Sequence, residues 1–378
     1  MKILSLFDGI SSARQAITNC GLEIEKYYAS EIDKYAIQIA QKNFPDTIQV
    51  GNVVDIKGED FKDIDLIIGG SPCQDLSIAK KNREGLNGAR SGLFYEYVRI
   101  LKEVKPKYFI LENVNSMPKE AKETITKELF GIEPIMINAA LVSAQNRKRL
   151  FWVGKLVGDK YEQVKIELPE DEGILLKDIL EEEVDEKYYV IGDWKVKKEP
   201  DNNNTNGAAV RKQVNGYRGI EIRKDQKSNA LNTIENQKLV RIGQFNTGGQ
   251  GDRIYSPDGK SVNLSANGGG RGAKTGLYAV QVKNQGKEIT RETDKSHCLM
   301  ARDYKGFGNQ EMSGVLEKNK IRKLTPIECE RLQSLPDGFT EKGLNENNEE
   351  VLISNTQRYK VLGNGFNCKV IEHIIKNL

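Results

Sequence analysis

Through its first 155 residues the chain alternates short apolar runs with helical stripes. "KILSLFD" reads as a buried strand, and Ala13, Ala16, Ile17 and Cys20 follow at i, i+3, i+4 and i+7, a helical face closed by Gly21. "IEKYYAS" is a second strand. Ile32, Tyr35, Ala36, Ile39 and Ala40 give the next helix, which stops near Pro45. "DLIIGG" is a further strand, Leu93, Phe94, Tyr97, Val98 and Leu101 a helix, and "YFILEN" another strand, with "IMINAAL" and "RLFWVG" closing the series. Strands alternating with amphipathic helices predict an α/β fold, a doubly wound, Rossmann-like sheet that binds ligands at the carboxyl ends of its strands.

After Gly154 the pattern lapses. Residues 161–200 hold 13 acidic and 6 basic residues, including "EEEVDE", and read as a solvated helical connector. "DNNNTNG" (201–207) is turn or loop. Residues 211–310 reverse the charge, with 18 Lys/Arg against 9 Asp/Glu, and are rich in Gly and Asn. There "DQKSNAL", "DGKSVNL" and "TDKSHCL" share a K-S-x-x-L core, with Ser228, Ser261 and Ser296 spaced 33 and 35 residues apart. A turn and short strand recurring three times predict a small β-rich unit, and its basic loops suit phosphates. The same spacing also describes hairpins without functional meaning. From residue 322 the helical pattern returns in "RKLTPIECERLQSLP", where Thr325, Pro326 and Glu328 spell a capping box with proline at the first helical position. "RYKVLGNGFNCKVIEHIIKNL" then reads as a glycine turn followed by a helix. Three segments result: 1–157, an inserted 158–318, and 319–378 returning to the first.

Composition narrows the chemistry. Of 378 residues, 38% are apolar and 29% charged, a soluble globular balance with no run of membrane-spanning length. "MKILSLFDGI" leads straight into the first strand rather than reading as a signal peptide. Five scattered cysteines without a CxxC pair argue against disulfides and structural zinc, and for a reducing, cytoplasmic setting. With only two histidines, His297 and His373, any cysteine chemistry has to work without a nearby imidazole. No metal site is expected.

Candidate residues gather at strand ends. "LFDGISSA" joins the first strand to the first helix, where Gly9 lets backbone N–H groups approach a ligand. Glu31 closes the second strand, placed to accept from both ribose hydroxyls, and Asn52 stands near the end of the third, within reach of an adenine edge. Most lone cysteines are small core hydrophobes, the reading that suits Cys20, Cys329 and Cys368. Cys73 differs. It follows its strand, Pro72 ends ladder pairing, and the loop beyond carries Lys80, Lys81, Arg83 and Arg90, which favour a thiolate. Glu112 ends the "YFILE" strand; a protonated carboxyl there can donate to a ring nitrogen while accepting from an exocyclic amine, the edge cytosine presents. Arg147 and Arg149, two apart in "QNRKRLFWVG", point the same way toward that sheet edge. Taken singly, each has a plain alternative as a cap, a turn former or surface charge.

Taken in order, "LFDGISSA", Glu31, "SPCQ", "LENV", "QNRKR", a variable region, "RKLTPIECERLQSLP" and "RYKVLGNGF" resemble the cytosine-C5 DNA methyltransferases over nearly the full chain. "DGI" and "GGSPCxDLS" are more like the de novo methyltransferase branch. The resemblance implies a methyltransferase sheet with an inserted β-rich target-recognition domain, acting on double-stranded DNA with S-adenosyl-L-methionine as cofactor. It implies Cys73 as nucleophile toward cytosine C6, Glu112 at N3 and N4, and Arg149 with Arg147 at O2 and the phosphate. The cofactor would be held by Phe7, Asp8, Gly9, Ile10, Ser12, Glu31, Ile32, Asn52, Val53, Pro72, Leu93, Asn364, Gly365 and Phe366, and DNA by Gln74, Ser77, Arg83 and Arg90. It further implies a monomer in the cytoplasm of a bacterial or phage-infected cell, beside a cognate restriction endonuclease in some relatives. Four positions depart from the pattern: Asp8 and Ser11 stand where many relatives have Ala and Gly, Asn52 where they have Asp, and Phe366 follows "GNG". Two other readings compete. One is tRNA cytosine methylation, whose branch usually carries a Cys-Phe-Thr segment absent here; the other is a non-catalytic DNA-binding protein on the same fold.

Overall fold

A computed structural model describes residues 1–72, 92–188, 195–196, 209–214, 217–222, 241–244, 253–255, 260–264, 277–280 and 320–378. The strands β1 (Lys2–Leu6), β2 (Lys26–Ser30), β3 (Ile48–Gln49), β4 (Leu66–Gly70), β5 (Tyr108–Val114), β6 (Ile135–Asn138), β7 (Lys148–Val157) and β8 (Lys160–Gln163) form one sheet. Its order is β3-β2-β1-β4-β5-β7-β6, with β8 also on β7. β1 to β5 run parallel, while β7 enters antiparallel between β5 and β6. The chain leaves β1 outward to β2 and β3, then returns to the other side of β1 as β4. That reversal makes the carboxyl ends of β1 and β4 the place where a ligand crevice opens.

The period-two alternation of the strands feeds two separate cores. Ile3, Leu66, Ile68, Ile110, Phe151 and Val153 face one layer; Leu4, Leu6, Ile67, Phe109, Leu111 and Trp152 face the other. Both faces are therefore covered, which is why these strands read as continuous apolar runs. Helices α1 (Ser12–Asn19) and α2 (Lys34–Asn43) pack on the first face. Helices α3 (Leu93–Val104) and α4 (Lys119–Glu128) pack on the second. The C-terminal helices α5 (Pro326–Leu332), α6 (Asn355–Asn364) and α7 (Cys368–Ile375) join the first, and Asn19 on α1 donates to Glu372 on α7 at 2.7 Å. Thr325 and Glu328 form the expected capping box. The "RYKVLGN" stretch, read as turn, is instead the second half of α6, because Tyr359, Val361 and Leu362 recur at helical spacing and all are buried.

Among the described residues the acidic connector holds no α-helix. Over 164–188 the backbone is irregular, with tight turns at Leu176–Ile179 and Glu186–Tyr188. Its buried residues Ile166, Leu176 and Tyr188 lie ten and twelve apart, a spacing that staples an irregular strap to the core at separate points rather than along one helical face. Beyond it, β9 (Lys195–Val196), β10 (Ala209–Val214), β11 (Tyr217–Ile222), β12 (Arg241–Gln244), β13 (Arg253–Tyr255), β14 (Leu277–Val280) and β15 (Lys320–Arg322) confirm a β-rich middle. They pair as β15-β14-β13-β12-β9 and as a β10-β11 hairpin; a last hairpin, β16 (Lys342–Leu344) with β17 (Glu350–Leu352), rests on α2. Among the described residues, no helix is long and apolar enough to cross a membrane.

Candidate functional site

The loop leaving β1 turns under tight constraint. Phe7, Gly9 and Ser11 all have φ near +60°, a left-handed conformation at alternate residues. The Gly9 N–H donates to Glu31 Oε2 at 2.8 Å, while Glu31 Oε1 accepts from the N–H groups of Ile32 (2.7 Å) and Asp33 (2.8 Å). Three of a carboxylate's roughly four acceptor positions are thus filled by backbone, leaving room for one further donor rather than two. Ile32 beside it is 72% exposed, a bare apolar surface at the crevice edge. Asn52 accepts from the Val54 N–H at 3.4 Å; Val53 is buried in the second core while Val54 is exposed. Phe7 and Leu93 are each partly buried against that same core.

Asp8 is enclosed beneath the loop. Tyr27 Oη donates to its Oδ1 at 2.7 Å, and Ser11 Oγ donates to its Oδ2. Burial pushes its carboxyl up to about 6, against the pull of the Ser11 and Tyr27 hydroxyls and with a small push from the Glu31 charge. Ser12 Oγ is buried without a hydrogen-bond partner, and a Cβ added to Gly365 would stand 3.2 Å from it. The turn after α6 therefore lies directly against the β1 loop. Asn364, the last residue of α6, is exposed, while Gly365 and Phe366 in the turn are buried.

The second half of the site sits at the ends of β4, β5 and β7. Gly70 is in register with Glu112, and a Cβ at Gly70 would meet Glu112 Oε2 and the Phe366 ring at 3.0 Å each. The paired glycines of "LIIGGSPC" thus make space: at Gly69 a Cβ would strike the Leu6 carbonyl at 2.7 Å. Arg149 Nε pairs with Glu112 Oε1 at 2.7 Å, both side chains mostly shielded. Asn113 is buried and donates to Ser71 Oγ at 3.1 Å, which ties β5 to the strand end carrying Pro72. Cys73 follows immediately. It lies outside the described residues, as do Gln74, Ser77, Arg83 and Arg90.

Arg147 and Arg149 border the same cleft, with Glu112, Phe151, Phe366 and Asn367, but they are not equivalent. Arg147 precedes β7 and is buried; its guanidinium donates to the carbonyls of Gly363 (3.3 Å) and Gly365 (2.9 Å) and to Asn263 Oδ1 (3.0 Å). It therefore holds the turn after α6, whereas the resemblance implies a place with Arg149 at O2 and the phosphate. Strand alternation did not apply, because Arg147 stands outside the strand. A separate cavity of about 260 Å³ opens between β6 and β8, sharing Phe151, with no comparable pairing of charges on its walls.

Several supporting contacts had no individual signal in the sequence. Gln333 Nε2 donates to the Leu362 carbonyl at 2.6 Å and also reaches Gly365, so the "LQ" ending α5 fixes the same turn as Arg147. Glu330 accepts from Arg358 and from the Gly338 and Thr340 N–H groups, and Glu328 is forked by both terminal nitrogens of Arg322 at 2.7 Å. Of the three K-S-x-x-L copies, the second, Lys260 to Leu264, is the one described. There Ser261 bridges to Gln145, Lys260 is buried with its ammonium on the Ser143 and Ile174 carbonyls, and Leu264 joins the core. This copy fastens the middle region to the "QNRKR" segment. The flanking copies, with Ser228 and Ser296, lie outside the described residues.

Comparison with known proteins identifies the family. The chain is 28% identical to the orphan methyltransferase M.SPRI of Bacillus phage SPR, covering 100% of this chain and 97% of the phage protein. It is 26% identical to the type II methyltransferase M.HhaI of Haemophilus parahaemolyticus, covering 100% and 94%. Among solved structures, the Entamoeba histolytica methyltransferase EhMeth superposes with a TM-score of 0.59 at 18% identity, covering 100% of this chain and 97% of that one. S. pombe Dnmt2 gives 0.56 at 16%, again over 100% and 97%. These two likenesses are of fold. The family model for C-5 cytosine-specific DNA methylases matches residues 1–378, so the chain belongs to that family and is a cytosine-C5 methyltransferase of Rossmann-like fold.

Proposed function

We propose that this protein methylates C5 of cytosine in double-stranded DNA, with S-adenosyl-L-methionine as methyl donor and Cys73 as a transient covalent nucleophile. The observation that carries it is the Glu112–Arg149 pair at the ends of β5 and β7, beside the Gly70–Pro72 strand end that delivers Cys73. The β1 side fits the cofactor: Glu31 has one acceptor position open for a ribose hydroxyl, Ile32 offers an apolar face to the adenine, and the unpartnered Ser12 hydroxyl and the Gly9 turn suit the polar methionine end. When bound there, the cofactor supplies an electrophilic methyl group.

The chain's own residues do the rest. The Cys73 thiolate adds to C6, and the electron pair of the C5–C6 bond moves to C5. Glu112 carries a proton at N3 and accepts from the N4 amine, so charge is drawn toward a group already placed to receive it. Arg149, released from its pairing with Glu112, is free to donate to O2. Once C5 bears the methyl group that the bound cofactor would supply, it gives its proton to water, the C5–H electrons re-form the C5–C6 double bond, and Cys73 leaves as thiolate. The target base has to be flipped from the duplex, at a cost of a few kcal/mol. Gln74, Ser77, Arg83 and Arg90 are assigned to the DNA, and the basic middle region to reading its sequence.

Transfer of tritiated methyl groups to duplex DNA and to tRNA, side by side, tests the substrate. Bisulfite sequencing of a co-expressed plasmid then locates the modified cytosine. Label in DNA that disappears in Cys73→Ser supports the proposal; label in tRNA alone, or DNA methylation that survives Cys73→Ser, refutes it.

A further inference from the structure

The β1 loop departs from the family pattern at Asp8 and Ser11, and the two departures touch. Ser11 lies at φ +58°, a conformation that glycine adopts freely and that a serine adopts under strain. It precedes α1 as the capping residue, yet its side chain makes no capping hydrogen bond. The hydroxyl donates instead to Asp8 Oδ2, and the Ser11 N–H donates to the Asp8 carbonyl at 3.3 Å. Asp8 is anchored in turn: its N–H donates to the Ser30 carbonyl at 3.0 Å, and Tyr27 on β2 donates to Oδ1 at 2.7 Å. Ser11 and Tyr27 are fully buried and Asp8 nearly so. A carboxylate enclosed this way has its two oxygens engaged by the protein itself. It is a poor cofactor ligand and a good internal prop.

We propose that Asp8 and Ser11 act as an interdependent brace, in which the Asp8 carboxylate holds Ser11 in its left-handed conformation and thereby sets the Gly9–Ser12 backbone for the nucleoside cofactor. The inference rests on the cofactor reading proposed above. Asp8 is a positioning residue. Its effect passes through Ser11, so removing the need for the brace should remove the need for Asp8. A glycine at position 11 does this, because it reaches φ +58° without help.

The test is a four-corner cycle of the full chain, read by calorimetric titration with S-adenosylhomocysteine and by thermal melting. Asp8→Ala should weaken binding about tenfold, whereas Ser11→Gly alone should change it less than about threefold. The double variant Asp8→Ala/Ser11→Gly should return to within about threefold of the wild type. Ser11→Ala, which loses the hydroxyl but keeps its Cβ, should fall with Asp8→Ala. A double variant as weak as Asp8→Ala would overturn the brace, since a merely structural aspartate is not rescued by a change at position 11. If Asp8→Ala does not fold, Asp8→Asn with and without Ser11→Gly serves, and rescue of its melting temperature and binding is again required. A wild type that binds no S-adenosylhomocysteine overturns the cofactor reading itself, an outcome distinct from a wild type that binds and a double variant that does not recover.

Discussion

At the ends of β1 and β2 the polar side chains are held by backbone and buried hydroxyls: Glu31 by three N–H groups, Asp8 by Tyr27 and Ser11. At the ends of β5 and β7 the two key side chains, Glu112 and Arg149, hold each other. The difference matters because a carboxylate filled by backbone N–H groups cannot change partners without bending the fold. One paired with a side chain can exchange that partner for a substrate. The first arrangement suits a site that keeps one shape; the second suits one that takes in a base and releases it.

The largest expected effect breaks the second half. Glu112→Gln keeps the shape of the side chain and can still face N3 and N4, but it cannot carry charge away from the ring. We expect kcat for DNA methylation to fall about 10²- to 10⁴-fold, with the S-adenosylhomocysteine Kd within about twofold of wild type. A matching loss in Kd would show that the two halves are not separable.

The two arginines sharpen the contrast. Arg147→Ala strips two glycine carbonyls and Asn263 of a buried partner, which should cost about 3 kcal/mol of stability in chemical denaturation. Arg149→Ala removes the mostly shielded partner of Glu112, a single charged contact against the three that Arg147 makes. We expect a smaller stability cost, about 1–2 kcal/mol, while activity drops about 100-fold. The reverse pattern would return Arg147 to the reacting base.

Asp8 gives a pH test of the first half. Its carboxyl ionises near 3.8 when unfolded and at about 6 when buried, with Glu31, Tyr27 and the Arg14 guanidinium, which lies 5.2 Å above the Tyr27 ring, as the neighbouring charged and titratable groups. Between those values the folded protein binds the extra proton, so this group makes stability fall as pH rises from about 4 to 6, and level off above. The expected size is on the order of 2–3 kcal/mol. Denaturation of wild type and Asp8→Asn across pH 4–7 should differ by that slope. Parallel curves would mean that the buried carboxyl does not titrate in this window.

How much of this was legible follows from the kind of signal each residue leaves. Strand ends are announced by apolar runs, so Glu31, Glu112 and the Gly70–Pro72 approach to Cys73 could be named from order alone, and the alternation of strands and helices gave the doubly wound sheet. Long-range partners leave no local trace. Nothing around Arg147 tells that Gly363 and Gly365, more than 200 residues on, claim its guanidinium. Nor does Ser261 reveal which copy of the K-S-x-x-L repeat would dock on Gln145. The acidic strap misled for a related reason: charge density says a segment is solvated, whereas Ile166, Leu176 and Tyr188, spaced too widely for a helix, decide its path. Positive φ at Ser11 was equally silent, since serine carries no mark of the conformation it is forced into.

The smallest expected effect lies at Gly70, where the two halves meet. A methyl group there would stand 3.0 Å from both Glu112 Oε2 and the Phe366 ring, so one of them has to give by a few tenths of an ångström. Phe366 is packed into the first core and sits in the turn clamped by Arg147 and Gln333. Glu112 is restrained chiefly by its pair with Arg149, so the carboxylate is the softer neighbour and should move. Gly70→Ala should therefore lower kcat about three- to tenfold through Glu112, a shift of about 1 kcal/mol in the barrier, and leave cofactor affinity and melting temperature nearly unchanged. Titration with S-adenosylhomocysteine beside single-turnover methylation decides the matter. If the Kd moves more than the rate, the ring has yielded instead, and the turn holding Phe366 is less rigid than its clamps suggest.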